Sequence, residues 1–594
     1  MKTITKTGKL LLLSFFLLSI SSYSQTQPWA KQISGAYNAS KITSDRNGNV
    51  YVLGQYFNSI QIGGITYTSK GGYDLFLASF NGSTGEHRWS RSIGGPNGED
   101  AKDIEYDQAL NSVWLLGTFS GTTSFPYRFQ FPDDATVLKS AGGKDIFVAR
   151  YELRSGTLQS LSRVGGALDD VGEGLGVCNR KYSTSVESRV YLTGYTQGTT
   201  TFETFDSRPF FLKGSTTLRN NTSGLNTFVA ELINSGTAQN IFNIGTCTSE
   251  DSGKDIAADS DGNIYITGKF NGDFNLGSRN IKADGIDGYI IKLDRYNSIM
   301  WVKIAGGSST DYPEEIKVGK DKYIYTTGTT FSKPFTITAN GIVSKTLQYV
   351  GGGDVYVTSH SREGELLGAD LIGGVQGESP MGLATDGSGN AYVTGTFIGS
   401  AKSVGNRRTV SAIGGVNDKD IFVFKYTPSL ISASARSIGS SLFDAALDVT
   451  VTSNNDVIII ARTQGELKWG TTPTIRAGST FIANMGIRAN AREESEDEDI
   501  DLAMEDHTNG NTAIASPNPF ENNFSISFPS SVNGTFKAQL YGMEGTKLLD
   551  LHEGVTEEGG RNTFVVNGAA LPSGIYNVRI VTTSGVINQK IIKR

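Results

Sequence analysis

One phrase recurs along the chain and constrains it more than any other feature. It reads Asp45-Arg-Asn-Gly-Asn-Val-Tyr51-Val-Leu-Gly54, then Asp261-Gly-Asn-Ile-Tyr265-Ile-Thr-Gly268, then Asp386-Gly-Ser-Gly-Asn-Ala-Tyr392-Val-Thr-Gly395. Weaker copies end at Gly117, Gly194 and Gly328, and a further one, closing at Ala461, has Ala in the Gly slot. Successive copies lie 60 to 77 residues apart. A fixed period means a repeated supersecondary unit, so it precedes any local reading. Each copy predicts a turn, because Gly and Asn accept positive φ, followed by an alternating strand.

Three other phrases share the period. Short strands precede the turn at residues 104–107, 256–259 and 447–451. A Gly-x-Asp-x-aromatic phrase follows it, at Asp74-Leu-Phe76, Asp145-Ile-Phe147, Asp287-Gly-Tyr289, Asp354-Val-Tyr356 and Asp420-Ile-Phe422, with Asn226 at the equivalent place in the third unit. A last strand closes on Gly-Gly, as at residues 89–95, 301–307 and 367–374. Each unit therefore carries about four antiparallel strands with almost no helical periodicity, which describes a β-propeller. The seventh unit lacks its fourth strand, while residues 29–35 form an orphan strand resembling residues 89–95. Pairing the two ends completes the last blade and removes an exposed edge. The expected fold is all-β: a seven-bladed propeller closed by its N-terminal strand, then an acidic linker and a small C-terminal β-sandwich.

The units resemble the SBBP-type β-propeller repeats of secreted bacterial proteins, through Asp-x-x-Gly-Asn-x-Tyr-x-x-Gly and Gly-Gly-x-Asp-x-Phe over about residues 28–488. That resemblance implies a fold and little about activity, since propellers host many functions.

The ends of the chain give an address. Lys2, Lys6 and Lys9 precede an apolar run at residues 10–20, and Ser22-Tyr23-Ser24 supplies small residues for cleavage, so residues 1–24 read as a secretory signal. The run is far shorter than the ~20 apolar residues of a spanning helix. No later segment is apolar enough to span. Residues 492–506 hold nine acids and one Arg, a block that stays solvated, inside a linker placed at 491–514. Residues 515–594 read as short alternating strands and a small β-sandwich. They resemble the type A C-terminal sorting domain of the type IX secretion system. The matching residues are Pro517, Asn518, Pro519 and Phe520, then Gly545, then Leu571, Gly574, Ile575 and Tyr576, and finally Lys590 and Lys593. The resemblance implies a translocon partner, passage through the periplasm, and release or display at the outer cell surface.

Chemistry is harder to find. The net charge of −6 argues against nucleic acid as a partner. The four His are scattered, and no Ser-His-Asp set, P-loop or metal-spaced His pair stands out, so neither catalytic residues nor a metal nor a cofactor is expected. Asp259-Ser-Asp261-Gly-Asn263 has the oxygen spacing of a calcium loop but no Glu at the proper distance, which leaves a plain turn as the default. Cys178 and Cys247 fall on opposite faces of one unit, so no disulfide is expected. The repeated Asp residues are expected to serve the fold, because every unit needs them.

Unrepeated aromatics with Arg are the better binding candidates: Phe125, Tyr127, Arg128, Phe129 and Phe131 in the second unit, and Phe202, Phe205, Arg208, Phe210 and Phe211 in the third. Both sets lie between second and third strands, and are expected on one face of the disc as glycan or protein contacts, unless they pack together as caps. The domain plan is residues 1–24 signal, 25–490 propeller, 491–514 linker and 515–594 sorting domain. The leading function is a secreted or surface binding and adhesion protein. The alternative is an extracellular glycosidase or polysaccharide lyase with its site at the channel, for which 59 acids offer no shortage of carboxylates.

Overall fold

A computed structural model describes residues 28–593 apart from 38–40, 129–130, 182–185, 206–211, 220–224, 234–235, 248–250, 321, 340, 406–407, 469–473, 489–513, 517–519, 521, 530–532, 543–546, 557–560, 573 and 583–584. Residues 1–24, read as a signal, and residues 491–513 of the expected linker lie outside the described residues. The chain divides into two compact units, residues 1–492 and 493–594. Among the described residues there is no helix.

The recurring phrase folds as a hydrogen-bonded cage. Asp45 Oδ1 accepts the backbone N–H groups of Asn47 at 2.8 Å and Asn49 at 2.9 Å. Its Oδ2 accepts the Asn49 amide and the Tyr51 hydroxyl, both at 2.9 Å. Asp259 and Asp386 repeat the same four contacts with Asn263 and Tyr265, and with Asn390 and Tyr392. Gly48, Gly262 and Gly389 hold φ of +77°, +84° and +81°, the left-handed region that closes the turn without Cβ strain. So Asp, Gly, Asn and Tyr recur together because one carboxylate satisfies the turn and anchors a buried phenol.

The strands that follow pair in antiparallel groups of four. The first group is Lys41–Ser44, Asn49–Ile62, Ile65–Asn81 and His87–Ile93. Glu99–Asp107 opens the next, Val171–Lys181 the third and Asp251–Ala258 the fourth. Asp311–Val318 and Ser379–Thr385 open two more. The last group holds Asp444–Val451, Asp456–Thr463 and Ser479–Arg488, and Trp29–Ala36 pairs with Ser479–Arg488 in register Trp29↔Asn484 through Ile33↔Thr480 and with Asn49–Ile62 at Ser34↔Gln61 and Ala36↔Tyr56. The opening strands are neighbours in chain order, and Asp444–Val451 lies against Lys41–Ser44.

The long connections between second and third strands pair with the last strand of the preceding group. Thr199–Phe205 adds to Leu158–Gly166, Phe335–Ala339 to Ile299–Gly306, and Ser400–Ser403 to Leu366–Gly373. Each hairpin covers a sheet edge that would otherwise present unpaired N–H and C=O groups.

The C-terminal unit packs two sheets. Ile514–Ser516, Asn523–Pro529 and Arg561–Asn567 form one. Lys547–Thr556, Gly534–Gly542, Gly574–Thr582 and Gly585–Lys593 form the other, around Phe524, Ile526, Phe528, Leu540, Val578 and Ile580. The strand Lys547–Thr556 escapes the sequence reading because its exposure pattern does not alternate.

The cage generates a stability prediction. Asp386→Ala removes the acceptor of two N–H groups, an amide and the buried Tyr392 hydroxyl. It is expected to cost about 2–4 kcal/mol, since hydrogen bonds to charged groups contribute about 1.5–3 kcal/mol each and water recovers part of the loss. Scanning calorimetry of the variant should show a clearly lowered midpoint; an unchanged one contradicts the cage.

Candidate functional site

The opening strands gather a cluster of buried charged side chains. All but Lys41–Ser44 carry a β-bulge: the register shifts at Ala101/Asp103, Gly172/Gly174, Gly253/Asp255, Pro313/Glu315, Pro380/Gly382 and Ala446/Asp448. A bulge re-aims the side chain after it. Asp103, Asp255, Glu315 and Asp448 thereby reach the neighbouring strand. Asp103 accepts the N–H of Leu175 at 2.8 Å, Asp255 that of Ile316 at 2.9 Å, Glu315 that of Leu383 at 2.7 Å, and Asp448 that of Ile42 at 2.9 Å. Glycine stands at the equivalent place in the third and sixth groups. A Cβ on Gly174 would lie 2.5 Å from Asp255, and one on Gly382 would lie 2.6 Å from Asp448.

Two lysines bridge this centre. Lys41 pairs with Glu315, and Lys317 with Glu105 at 2.9 Å, contacts between strands far apart in sequence. Lys102–Glu173 at 2.9 Å and Lys254–Glu314 at 3.1 Å add a further layer from the bulged residues. Burial pushes the carboxyls of Asp103, Asp255 and Asp448 up to about 6, 7 and 8, against the pull of the lysines. Burial also opposes charge on Glu315, but Lys41 and Lys317 outweigh it and hold the carboxylate below its ordinary range. Burial opposes the Lys317 ammonium in turn, and Glu105, Asp255 and Asp103 raise it well above its usual value. The centre is a plug of bonded charges, with each of the four acids committed to a backbone donor.

A second set of acids lies where one group hands over to the next. Asp74, Asp145, Asp287, Asp354 and Asp420 each sit over the first residue of the closing dipeptide. A Cβ on Gly94, Gly165, Gly306, Gly373 or Gly439 would fall 2.0 to 2.5 Å from the carboxylate, so that strand must end on glycine. The next residue donates its N–H to an acid four positions later: Gly166 to Asp170 at 2.8 Å, Gly374 to Glu378 at 3.0 Å, Ser440 to Asp444 at 2.5 Å. Gly307 instead donates its N–H to Asp287 Oδ1 at 3.2 Å, and Asp311 accepts the Ser332 hydroxyl at 2.7 Å. Glu99 Oε2, Asp145 Oδ1, Asp311 Oδ1, Glu378 Oε1, Asp420 Oδ1 and Asp444 Oδ1 are buried without a hydrogen-bond partner among the described residues. Burial pushes Asp145, Asp287 and Asp354 up to about 6, Asp170, Asp251 and Asp420 to about 7, Glu99 to about 8 and Glu378 to about 9. The neighbouring acid adds to the effect in most of these pairs.

Of the aromatics singled out from the sequence, the side chains of Phe125, Phe202 and Phe205 are described. Phe125 is wholly buried, 5.0 Å from Phe147 in an edge-to-face contact, and Phe202 is wholly buried among Val164, Val190 and Phe228. Phe205 is half-buried against the second group. The side chains of Tyr127, Arg128 and Phe131, and the residues Phe129, Arg208, Phe210 and Phe211, lie outside the described part. Cys178 is a free, buried thiol that donates to the Asp259 carbonyl at 2.9 Å. The Asp259 turn spends its carboxylate on its own loop and on Arg362. Among the described residues no three His, Cys, Asp or Glu converge to hold a metal, and no helix is long and apolar enough to cross a membrane.

In the C-terminal unit, buried Phe520 bridges to Lys593, whose ammonium lies 5.5 Å from its ring. Tyr576 donates its hydroxyl to Pro572 at 2.7 Å, and Leu571 packs on the same core. Gly574 opens the strand that holds Ile575, and Lys590 lies in the final strand. Pro517, Asn518, Pro519 and Gly545 lie outside the described residues.

Residues 516–594 match the family described as a secretion system C-terminal sorting domain, and residues 244–275 match the β-propeller repeat family SBBP. The chain carries an SBBP propeller repeat and a type IX secretion sorting tail. The tail marks export through that system to the cell surface or the medium, and implies interaction with its translocon. Among solved structures, a chain described as a europium-containing methanol dehydrogenase is similar at 10% identity over 62% of this chain and 84% of that one, with a TM-score of 0.25. No curated protein matches the chain.

The elevated carboxyls set a pH dependence. Each binds its proton more tightly folded than unfolded, so the folded state holds more protons between the ordinary carboxyl range and the raised values. Stability is therefore full at mild acidity and falls as pH rises. The thermal midpoint should drop between about pH 4 and about pH 9, most steeply at about pH 5 to 6, where these acids are ionised unfolded and still protonated folded, and the loss should level off as Asp170, Asp251, Asp420 and Glu99 ionise in the folded state. A midpoint that climbs across this range contradicts the assignment.

Proposed function

We propose that residues 29–488 form a seven-bladed propeller closed by the strand Trp29–Ala36, and that it acts as a binding module displayed on the cell surface or released outside it. The register of Trp29–Ala36 on Ser479–Arg488 and the Asp448 bond to Ile42 support closure. The handover of opening strands from Lys41–Ser44 round to Asp444–Val451 supports seven units arranged in a ring. The domain plan that goes with this reading is a signal at 1–24, propeller to 490, linker to 514 and sorting domain from 515.

The observation that carries the binding reading is the state of the centre. A hydrolase or lyase at the channel needs carboxylates or bases free to exchange protons with a substrate. Here Asp103, Asp255, Glu315 and Asp448 converge, yet each is spent on the backbone of the next blade, and Lys41 and Lys317 are spent on Glu315 and Glu105. That arrangement holds a ring together. Function then falls to the surface of the disc, carried on rigid strands.

The test uses the secreted mature chain on immobilised polysaccharides and on intact cells, with reducing ends and unsaturated uronates measured in the same wells. Retention without product formation is expected. Turnover of any polymer overturns the reading in favour of an enzyme.

A further inference from the structure

Residues that every blade repeats serve the fold, so a surface feature found in one blade is the place to look for a ligand. At the pair of positions just before the buried Asp of the third strand, most blades carry polar or mixed residues: Ser120 opposite Lys144, Asn271 opposite Ile286, Ile398 opposite Lys419. The fifth has Phe331 against Gly353, where the ring lies over the glycine. The first blade alone, among these described pairs, has two rings, Phe57 opposite Tyr73. Asn58, at φ +62°, bulges the strand just after Phe57.

A third ring completes the group. Tyr37 stacks on Tyr73 with centroids 4.8 Å apart and planes 28° from parallel, and Phe57 leans on Tyr73 at 5.5 Å. The Tyr37 backbone is fixed from both sides, by its N–H to Gln55 O at 2.8 Å and by Arg462 donating to its carbonyl at 3.2 Å. The Arg462 guanidinium also sits 5.7 Å from the Tyr37 ring. Rings that only sealed the junction of first and last blades would be buried, yet Tyr37 is 42% and Phe57 49% exposed. Clustered apolar surface left in water on a rigid strand marks a contact site.

We propose that Tyr37, Tyr73 and Phe57 form a stacking platform for a pyranose ring of an extracellular glycan, a proposal that rests on the binding reading above. The flat C–H face of a β-linked sugar complements the electron-rich ring faces, as in other contacts of positive edges with aromatic quadrupoles. The phenol hydroxyls and Arg462 lie at the rim, where equatorial hydroxyls need partners. Nucleobases also stack, but a chain of net charge −6 opposes a phosphate backbone. The sorting tail delivers the platform to where glycans are abundant.

The test is isothermal titration of the full mature chain with cello-, xylo-, manno- and chito-oligosaccharides, and with decaproline as the flat apolar peptide. One sugar series is expected to bind. Phe57→Ala and Tyr37→Ala should each weaken it about ten-fold, the loss of one stacking contact. Phe57→Trp should keep it. The thermal midpoint should fall by no more than a few degrees in all three, since each ring is about half exposed. Sugar binding that ignores Phe57→Ala, absence of binding by every sugar, or Phe57-dependent binding of decaproline alone overturns the platform. Retention on cells or polysaccharide that survives Phe57→Ala removes the platform and leaves the binding module standing; loss of all retention in the unaltered chain removes both.

Discussion

The opening strand of each group has no backbone ladder on its inner side, and that deficit organises the centre of the molecule. An unpaired N–H on a central strand costs free energy unless it finds an acceptor. Carboxylates supply it here. Asp103, Asp255, Glu315 and Asp448 each reach across to the N–H of the next strand, and the last of these spans from residue 448 to residue 42. Burying four acids together is itself unfavourable, and Lys41 and Lys317 offset their mutual repulsion. The glycines at 174 and 382 then follow from sterics, since a side chain there would meet Asp255 or Asp448.

The outer acids solve a different problem. Asp74 and its equivalents satisfy turn N–H groups at the start of the third strand, as Lys70 donates to Asp74 at 3.0 Å and Ala141 to Asp145 at 2.9 Å. Their partners Glu99, Asp170, Asp311, Glu378 and Asp444 cap the loop that leads into the next group. With few cations beside them, burial raises the proton affinity of these acids. An acid thus serves as an ionised bridge at Glu315, beside Lys41 and Lys317, while burial drives the junction acids toward the protonated form.

Much of this was legible in the sequence and some was not, for identifiable reasons. The Asp-Gly-Asn-Tyr phrase could be read as a turn because its chemistry is local, within seven residues. The pairing of residues 29–35 with the strand holding Phe481 could be anticipated because an orphan strand and a missing one have matching patterns; the structure pairs Gln32 with Phe481. The central acids were invisible because each follows a bulge, which breaks the alternation, so the strands seemed to begin at Ile104 and Ile256, just past Asp103 and Asp255. The insertions were visible by their length while their partner was not: Thr199–Phe205 binds a strand from the preceding group. Phe57 and Tyr73 went unremarked since each looks ordinary in its own strand, and only the pairing register brings them together.

Amide hydrogen exchange on the mature chain, resolved to segments 29–36 and 479–488, tests the closed ring most directly. Closure predicts that amides of Ala30 through Ile33 exchange as slowly as those of Thr480 through Asn484, because the two sets share one ladder. Exchange of the N-terminal segment at the rate of an unstructured peptide, while Thr480 through Asn484 stay protected, would contradict it.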